Sequence, residues 1–326
     1  MPISESTYHA PSWCPGGHLQ TVIPARLSKR PRVSYRREIV RTPDDDIVVW
    51  DWSTPEPTDP EAPVLVHFHG LEGGSDSHYA EALMAKCAEL GWRGVVAHFR
   101  SCGGMMNLKP RSYYAGDTED NSWVLRTVKG RFPKAKLYAV GVSLGGNQLT
   151  KCLGELGSRA IGLVEGAVSI CAPIDLVAGS ERMSKGVNVF YQQMFLKTLK
   201  EKLEEKARAF PDLFDLQKAK DCRSLYDFDE IYTAPVHGFA SAMEYWQKCS
   251  AKQYLPGVRV PLLLLNAKND PFLPAWVLPT AAEMSSSVLG EFPEEGGHVG
   301  FPEGRKFAGD VLYLPRRVMT FFGTGS

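Results

Sequence analysis

Lys136-Leu-Tyr-Ala-Val140, Gly141-Val-Ser-Leu-Gly145 and Gly146-Asn-Gln-Leu-Thr-Lys-Cys-Leu153 follow one another near the middle of the chain. The first is an apolar run of strand type and the last is of helical type, with Gly-x-Ser-x-Gly between them. A chain that turns from strand to helix over so few residues brings its backbone close to neighbours on both sides. Glycine at 141 and 145 removes the Cβ atoms that would collide there. Ser143 can then take a strained conformation that lifts its hydroxyl out of the sheet, the geometry of a nucleophile elbow. The stretch predicts an α/β fold with a reactive serine at a strand end. A glycine-rich turn carrying a solvated serine is the alternative, to be decided by the rest of the chain.

Strand and helix patterns alternate on both sides of this stretch. Val64–His69 reads as a buried strand, Tyr79–Leu90 as a helix stopped by Gly91, and Gly94–Phe99 as a strand. Asp117–Lys129 reads as a helix with Asp117 at its N-cap, and Ile161–Ala172 holds the next strand. After residue 260 come strand Val260–Asn266, helix Trp276–Glu283, strand Ser287–Phe292 and a last helix around Val311–Phe322. Such alternation predicts a mostly parallel central sheet with helices on both faces. Val33–Val40 and Ile47–Trp52, joined by Thr42-Pro-Asp-Asp-Asp46, predict an antiparallel edge pair.

The expected core is therefore 33–172 together with 260–326. Residues 1–32, rich in Pro, Gly and Arg, read as an extended N-terminal arm running over the surface and packed on the core. Residues 173–259 interrupt the rhythm with helical sequence. In Val187–Phe210 an apolar stripe of Val187, Tyr191, Met194, Phe195, Leu199, Leu203, Ala207 and Phe210 faces a charged side. This insertion is expected to cap the C-terminal edge of the strands, where open α/β sheets bind ligands. A plain helical layer over one face is the alternative.

Lysine plus arginine and aspartate plus glutamate both total 37, so no charge excess points to nucleic acid. The seven cysteines are scattered and odd in number, with no C-x-x-C pair, as expected of reduced thiols in a cytoplasmic protein. The apolar run Val260-Pro-Leu-Leu-Leu-Leu265 is too short to span a bilayer. The N-terminus lacks the basic-then-apolar pattern of a signal peptide. A soluble cytoplasmic protein is expected, with room for transient contact with a lipid surface.

A serine hydroxyl needs an adjacent base, and the base needs an orienting group. Asp270 ends Leu262-Leu-Leu-Leu-Asn-Ala-Lys-Asn-Asp, just past a strand, and His298 sits in Glu294-Glu-Gly-Gly-His-Val-Gly-Phe301, past the last strand. The order Ser143, Asp270, His298 is the chain order of an α/β-hydrolase triad. Asp175, past the preceding strand, is the rival acid, and Asp270 could instead serve as a turn cap. For the oxyanion hole the backbone amides of Leu144 and Leu71 are the candidates, the latter in His69-Gly-Leu-Glu-Gly-Gly74. His67 and His69 share a strand face, but no Asp-His or Glu-x-x-His completes a metal set. No metal and no cofactor are expected. The remaining histidines (9, 18, 78, 98 and 237) read as structural.

Together these residues closely resemble the YheT-type α/β-hydrolases, bacterial relatives of the eukaryotic abhydrolase-domain proteins and the yeast medium-chain ester synthase/esterases. The resemblance runs nearly end to end. It rests on Gly16-Gly-His-Leu-Gln-Thr21, His69-Gly-Leu-Glu-Gly73, Phe99-Arg100, Gly141–Gly146, Thr233-Ala-Pro-Val-His-Gly-Phe239, Asn269-Asp-Pro271 and Gly297-His-Val-Gly-Phe301. It implies a Ser143–His298–Asp270 triad, a helical cap, and hydrolysis of short- to medium-chain carboxylic esters. Transfer of the same acyl group to an alcohol, or a non-catalytic binding role, are the alternatives. The chain departs from the pattern at Phe99-Arg-Ser-Cys-Gly-Gly104, where Phe-Arg-Gly-Cys-Ser-Gly is expected, and at Tyr113-Tyr-Ala-Gly116 in place of Tyr-His-Ser-Gly.

Overall fold

Val64, Val66 and Phe68 pack into one hydrophobic cluster and Leu65 into another, so a single five-residue strand feeds two separate layers. That is the period-2 alternation of a strand buried on both faces. In the computed structural model, which describes residues 2–324, the strands are β1 (Ile3–Ser4), β2 (Ser34–Arg41), β3 (Ile47–Thr54), β4 (Val64–Phe68), β5 (Arg93–Ala97), β6 (Leu137–Val142), β7 (Gly166–Ile170), β8 (Leu262–Leu265) and β9 (Val288–Glu291). They form one nine-stranded sheet in the order β1-β9-β8-β7-β6-β4-β5-β3-β2. The β2–β3 and β3–β5 pairs are antiparallel and the other neighbours are parallel. The expected hairpin edge and parallel centre are both present.

The helices are α1 (Gly17–Arg26), α2 (His78–Glu89), α3 (Thr118–Arg131), α4 (Leu144–Leu156), α5 (Leu176–Met183), α6 (Asn188–Ala209), α7 (Leu216–Asp221), α8 (Leu225–Phe228), α9 (Ala234–Val236), α10 (Ala242–Cys249) and α11 (Tyr313–Phe321). On one face of the sheet, Val124, Leu125 and Val128 of α3 join Leu149, Cys152 and Leu153 of α4 in the first cluster. On the other, Leu83 and Met84 of α2 meet Leu314 and Val318 of α11. The Asp117 carboxylate caps α3 by accepting the Asp120 N–H. Helices α5 to α10 lie between β7 and β8 in the chain and carry two small clusters of their own. All seven cysteines are free and buried. Among the described residues no helix is long and apolar enough to cross a membrane.

The structure corrects three local expectations. Residues 2–32 are not extended throughout: β1 pairs with β9, and α1 is a helix that buries Gln20, Thr21, Ile23 and Pro24. The Gly16-Gly17 start and the internal Pro24 hide this helix from propensity, since proline is poorly tolerated inside helices. The expected helix Trp276–Glu283 is two 3₁₀ turns, Ala275–Val277 and Ala281–Glu283. Leu278 precedes Pro279 and sits at ψ 140°, because a residue before proline is pushed out of the α region. Of the expected stripe, Val187, just before α6, and Met194 on it are 56% and 53% exposed, while Gln192 and Lys206 of α6 are buried. Lys206 goes inward because its amine finds acceptors there, donating to Asn107 Oδ1 and the Lys109 carbonyl, each at 2.7 Å.

One cation ties the β2–β3 turn to α3. Arg100, 1% exposed, donates to Asp46 at 2.6 Å, Asp44 at 2.9 Å and Asp120 at 2.7 Å. Burial works to raise Asp44, but hydrogen bonds from Arg100 and Thr42 outweigh it and hold the carboxyl at about 2. Burial is likewise outweighed at Asp46 by hydrogen bonds from Asn107, the Ile47 and Leu108 amides and Arg100. With folded-state values below those of the unfolded chain, both carboxylates contribute stability that is present above about pH 4 and is lost as the pH falls through their depressed values, about 2 for Asp44. Removing one partner of a buried ion pair costs about 3–5 kcal/mol. Arg100→Met is therefore expected to lose that much in urea unfolding at pH 7, with a deficit that narrows below pH 4. An equal deficit at both pH values would contradict this account of the cluster.

Candidate active site

Ser143 follows the last residue of β6 and precedes α4, with φ 52° and ψ −119°. A non-glycine residue in this region is strained by about 1–3 kcal/mol and persists only where its surroundings enforce it. Here they do. A Cβ on Gly141 would lie 2.3 Å from the Gly145 carbonyl oxygen, and one on Gly145 would lie 2.4 Å from the Phe68 oxygen. The Ser143 N–H donates to Ile170 O of β7 at 2.8 Å. Strand β6 is thus pressed between β4 and β7, and the serine is raised at their C-terminal ends.

Two loops at the same ends of the sheet meet it. The Ser143 hydroxyl lies 2.9 Å from His298 Nε2, where it can donate its proton. His298 Nδ1 lies 2.8 Å from Asp270 Oδ2, so a proton on Nδ1 leaves Nε2 as the acceptor. The other Asp270 oxygen accepts the Phe272 N–H at 2.8 Å. The Phe272 ring packs 4.2 Å from the imidazole, centroid to centroid. This arrangement allows the serine proton to move to a histidine whose resulting cation faces a buried carboxylate.

The rival acid is elsewhere: Asp175 caps α5, accepting the Ala178 N–H at 3.0 Å. His67 Nδ1 faces Val140 O at 3.2 Å, and burial pushes that imidazole down to about 3. His69 Nδ1 donates to Gly70 O at 2.7 Å while its Nε2 accepts the Phe99 N–H at 3.2 Å. Both nitrogens of His69 are thereby occupied. Cys171, Asp270 and His298 bring one potential ligand atom each within 4.8 Å of one another. The His298 nitrogens are already engaged, and burial raises the Cys171 thiol well above its ordinary value, which suits a hydrogen-bonded cluster better than a ligand set.

Leu71 and Leu144, the proposed oxyanion donors, border the same cavity as Ser143 and His298. Leu144 opens α4, where a backbone N–H has no partner within the helix and the helix dipole favours negative charge. The loop bearing Leu71 is fixed on both sides. The Gly70 N–H donates to Tyr79 Oη at 3.0 Å, and Glu72 holds φ 55°. The Glu72 carboxylate accepts from Tyr113 Oη at 2.6 Å and from Lys202 Nζ of α6 at 2.8 Å. Burial acts to lower the Lys202 amine, but Cys102 and Glu72 outweigh it and hold it above its ordinary value. The sequence alone does not show this link, because Lys202 falls among Phe195, Leu199 and Leu203 at helical spacing while its acceptor, Glu72, lies in a distant loop. Ser101, at the position where the resembled pattern carries glycine, takes φ 61°, a conformation glycine adopts without strain.

The cavity measures about 170 Å³, and α5 and α6 wall it with Leu176, Met183, Phe195, Leu199 and Leu203. Phe228, Tyr245 and Trp246 close it further. Its charged exceptions are Lys202, Lys206 and Asp229. Burial pushes Lys206 down to about 8 and Asp229 up to about 6. An apolar chamber with few polar groups around a hydrogen-bonded serine is a common form of small-molecule site.

The family model described as the alpha/beta hydrolase fold matches residues 63–305. A protein of Escherichia coli (strain K12) named "Putative esterase YheT" is 38% identical over 286 residues, covering 87% of this chain and 84% of that protein. Human phospholipase ABHD3 is 30% identical over 310 residues, covering 93% of this chain and 75% of that protein. Among solved structures, the Pyrococcus furiosus esterase Pf2001 superposes with a TM-score of 0.55 at 16% identity, over 92% of this chain and 98% of that one. At that identity it shares the fold alone. The chain belongs to the α/β-hydrolase fold family, in the group that includes YheT.

Proposed function

We propose that the protein is a carboxylic-ester hydrolase working through an acyl-enzyme on Ser143. The observation that carries this reading is the continuous hydrogen-bond chain from Ser143 Oγ through His298 to Asp270 at the floor of an apolar cavity. His298 Nε2 takes the hydroxyl proton as Ser143 Oγ bonds to the ester carbonyl carbon. The amides of Leu71 and Leu144 hold the oxyanion, each donor contributing about 3–4 kcal/mol at the transition state. His298 then protonates the leaving alcohol, and the carbon–oxygen bond to it breaks. Water, deprotonated by the same imidazole, attacks the acyl-enzyme and releases the acid. Asp270 keeps the imidazole in the productive tautomer and stabilises its cation.

Relatives named an esterase and a phospholipase support ester chemistry in this group. The apolar walls suit a hydrocarbon acyl chain, and short- to medium-chain esters are the proposed substrates. An alcohol entering in place of water would give transfer from the same intermediate.

A fluorophosphonate probe should label the wild type at Ser143 and leave Ser143→Ala unlabelled. Label on another residue, or full esterase activity in Ser143→Ala, would refute the mechanism. Asp270→Asn should keep its substrate KM but lose about ten thousand-fold in kcat, because the imidazole then favours the wrong tautomer. Loss of KM alone would assign Asp270 to binding. Across p-nitrophenyl esters from acetate to palmitate, kcat/KM should peak at intermediate chain lengths. A maximum at acetate would remove the acyl-chain role given to the cavity.

A further inference from the structure

Gly16-Gly-His-Leu-Gln-Thr21 has no place in the reaction above, yet its side chains hold both loops that supply the base and the acid. Gln20 is fully buried. Its Oε1 accepts from the Gly296 N–H and from Asn269 Nδ2, both at 2.8 Å. Its Nε2 donates to Cys14 O at 2.9 Å, which fixes the amide's orientation. Next to it, Thr21 Oγ1 accepts the His298 N–H at 2.8 Å and donates to Gly17 O at 2.6 Å. Asn269, the residue before Asp270, accepts the Gly297 N–H at 3.0 Å. The backbone amides of 296, 297 and 298 are therefore all held by three side chains, two of them on α1.

The contact is also close. A Cβ on Gly17 would fall 1.9 Å from Asn269 O, and one on Gly300 would fall 1.6 Å from Gln20 O. The glycines of both motifs thus serve one interface, where helix backbone meets loop backbone. The loop beyond the histidine needs outside support, since Val299 and Phe301 hold φ values of 60° and 43°. Such a conformation is rare for a β-branched or bulky residue. His78 Nε2 lies 3.0 Å from Val299 O on the same loop.

We propose that Gln20 and Thr21 are positioning residues: α1 is a clamp that keeps the His298 loop and the Asp270 loop in register, so that one imidazole reaches Ser143 and Asp270 together. This rests on the catalytic roles proposed above for those three residues. Neither clamp residue touches the reacting atoms. Their effect runs through the backbone N–H of His298 and the side chain of Asn269, and a shift of about 1 Å at a reacting group can cost a hundred-fold in rate.

Thr21→Val keeps the shape and removes the acceptor, whereas Thr21→Ser keeps the acceptor. Steady-state kinetics on a p-nitrophenyl ester, with fluorophosphonate labelling rates, should show Thr21→Val losing about 10- to 100-fold in kcat and in labelling rate. Its KM should stay within about two-fold, and Thr21→Ser should restore both rates. Asn269→Ala opens the clamp from the core side and carries the same expectation should Thr21→Val fail to fold. Unchanged kcat in a folded Thr21→Val or Asn269→Ala, or a rise in KM with kcat intact, overturns the clamp. Failure of the catalytic reading is separately visible, as activity remaining in Ser143→Ala.

Discussion

The backbone of Ser143 is held in a conformation it would not choose, and the rest of the site is built to that requirement. Glycine at 141 and 145 lets the start of α4 lie directly against β6 at Gly141 and against the Phe68 carbonyl of β4. The Ser143 N–H bonded to Ile170 O then fixes the height of the hydroxyl above β7. Two consequences follow from the one constraint. The hydroxyl stands clear of the sheet where loops after β8 and β9 can reach it, and the Leu144 N–H begins a helix with no partner of its own. In the proposed mechanism that N–H is a fixed dipole aimed at the developing oxyanion, which needs no reorganisation during reaction.

The helices between β7 and β8 meet this base through a few buried polar links. Lys202 reaches Glu72 in the loop bearing Leu71, and Lys206 reaches Asn107 beside the Arg100 cluster. The first is a half-buried ion pair and the second a buried charge-assisted hydrogen bond, and each ties a lysine of α6 to a loop of the core. Both lysines border the cavity, and the apolar residues of the same helix supply most of its wall on that side.

What could be read from sequence was whatever a local rule dictates. The elbow announces itself through glycine spacing, and Asp270 and His298 follow from the need for a base and an acid at nearby strand ends. Alternating patterns placed the sheet, because a strand buried on both faces is a continuous apolar run. Two of the misses share a cause. Helix α1 hides behind Pro24, and its contact with the histidine loop joins Thr21 to His298, 277 residues later in the chain. Lys202 and Lys206 sit among the apolar residues of α6 at helical spacing, and periodicity does not know where an acceptor lies in another element. The break at Leu278 was local and legible from Pro279, but the helical spacing of Trp276–Glu283 outweighed it in the reading.

The central claim is that an acyl group passes through Ser143, and the most direct measurement is to catch it there. Acid quenching during turnover of a medium-chain p-nitrophenyl ester, followed by peptide mass spectrometry, should find the acyl mass on the peptide containing Ser143. The accompanying burst of p-nitrophenol should match the enzyme concentration. An active enzyme with no burst and no acylated peptide, or with the acyl group on another side chain, would contradict the account.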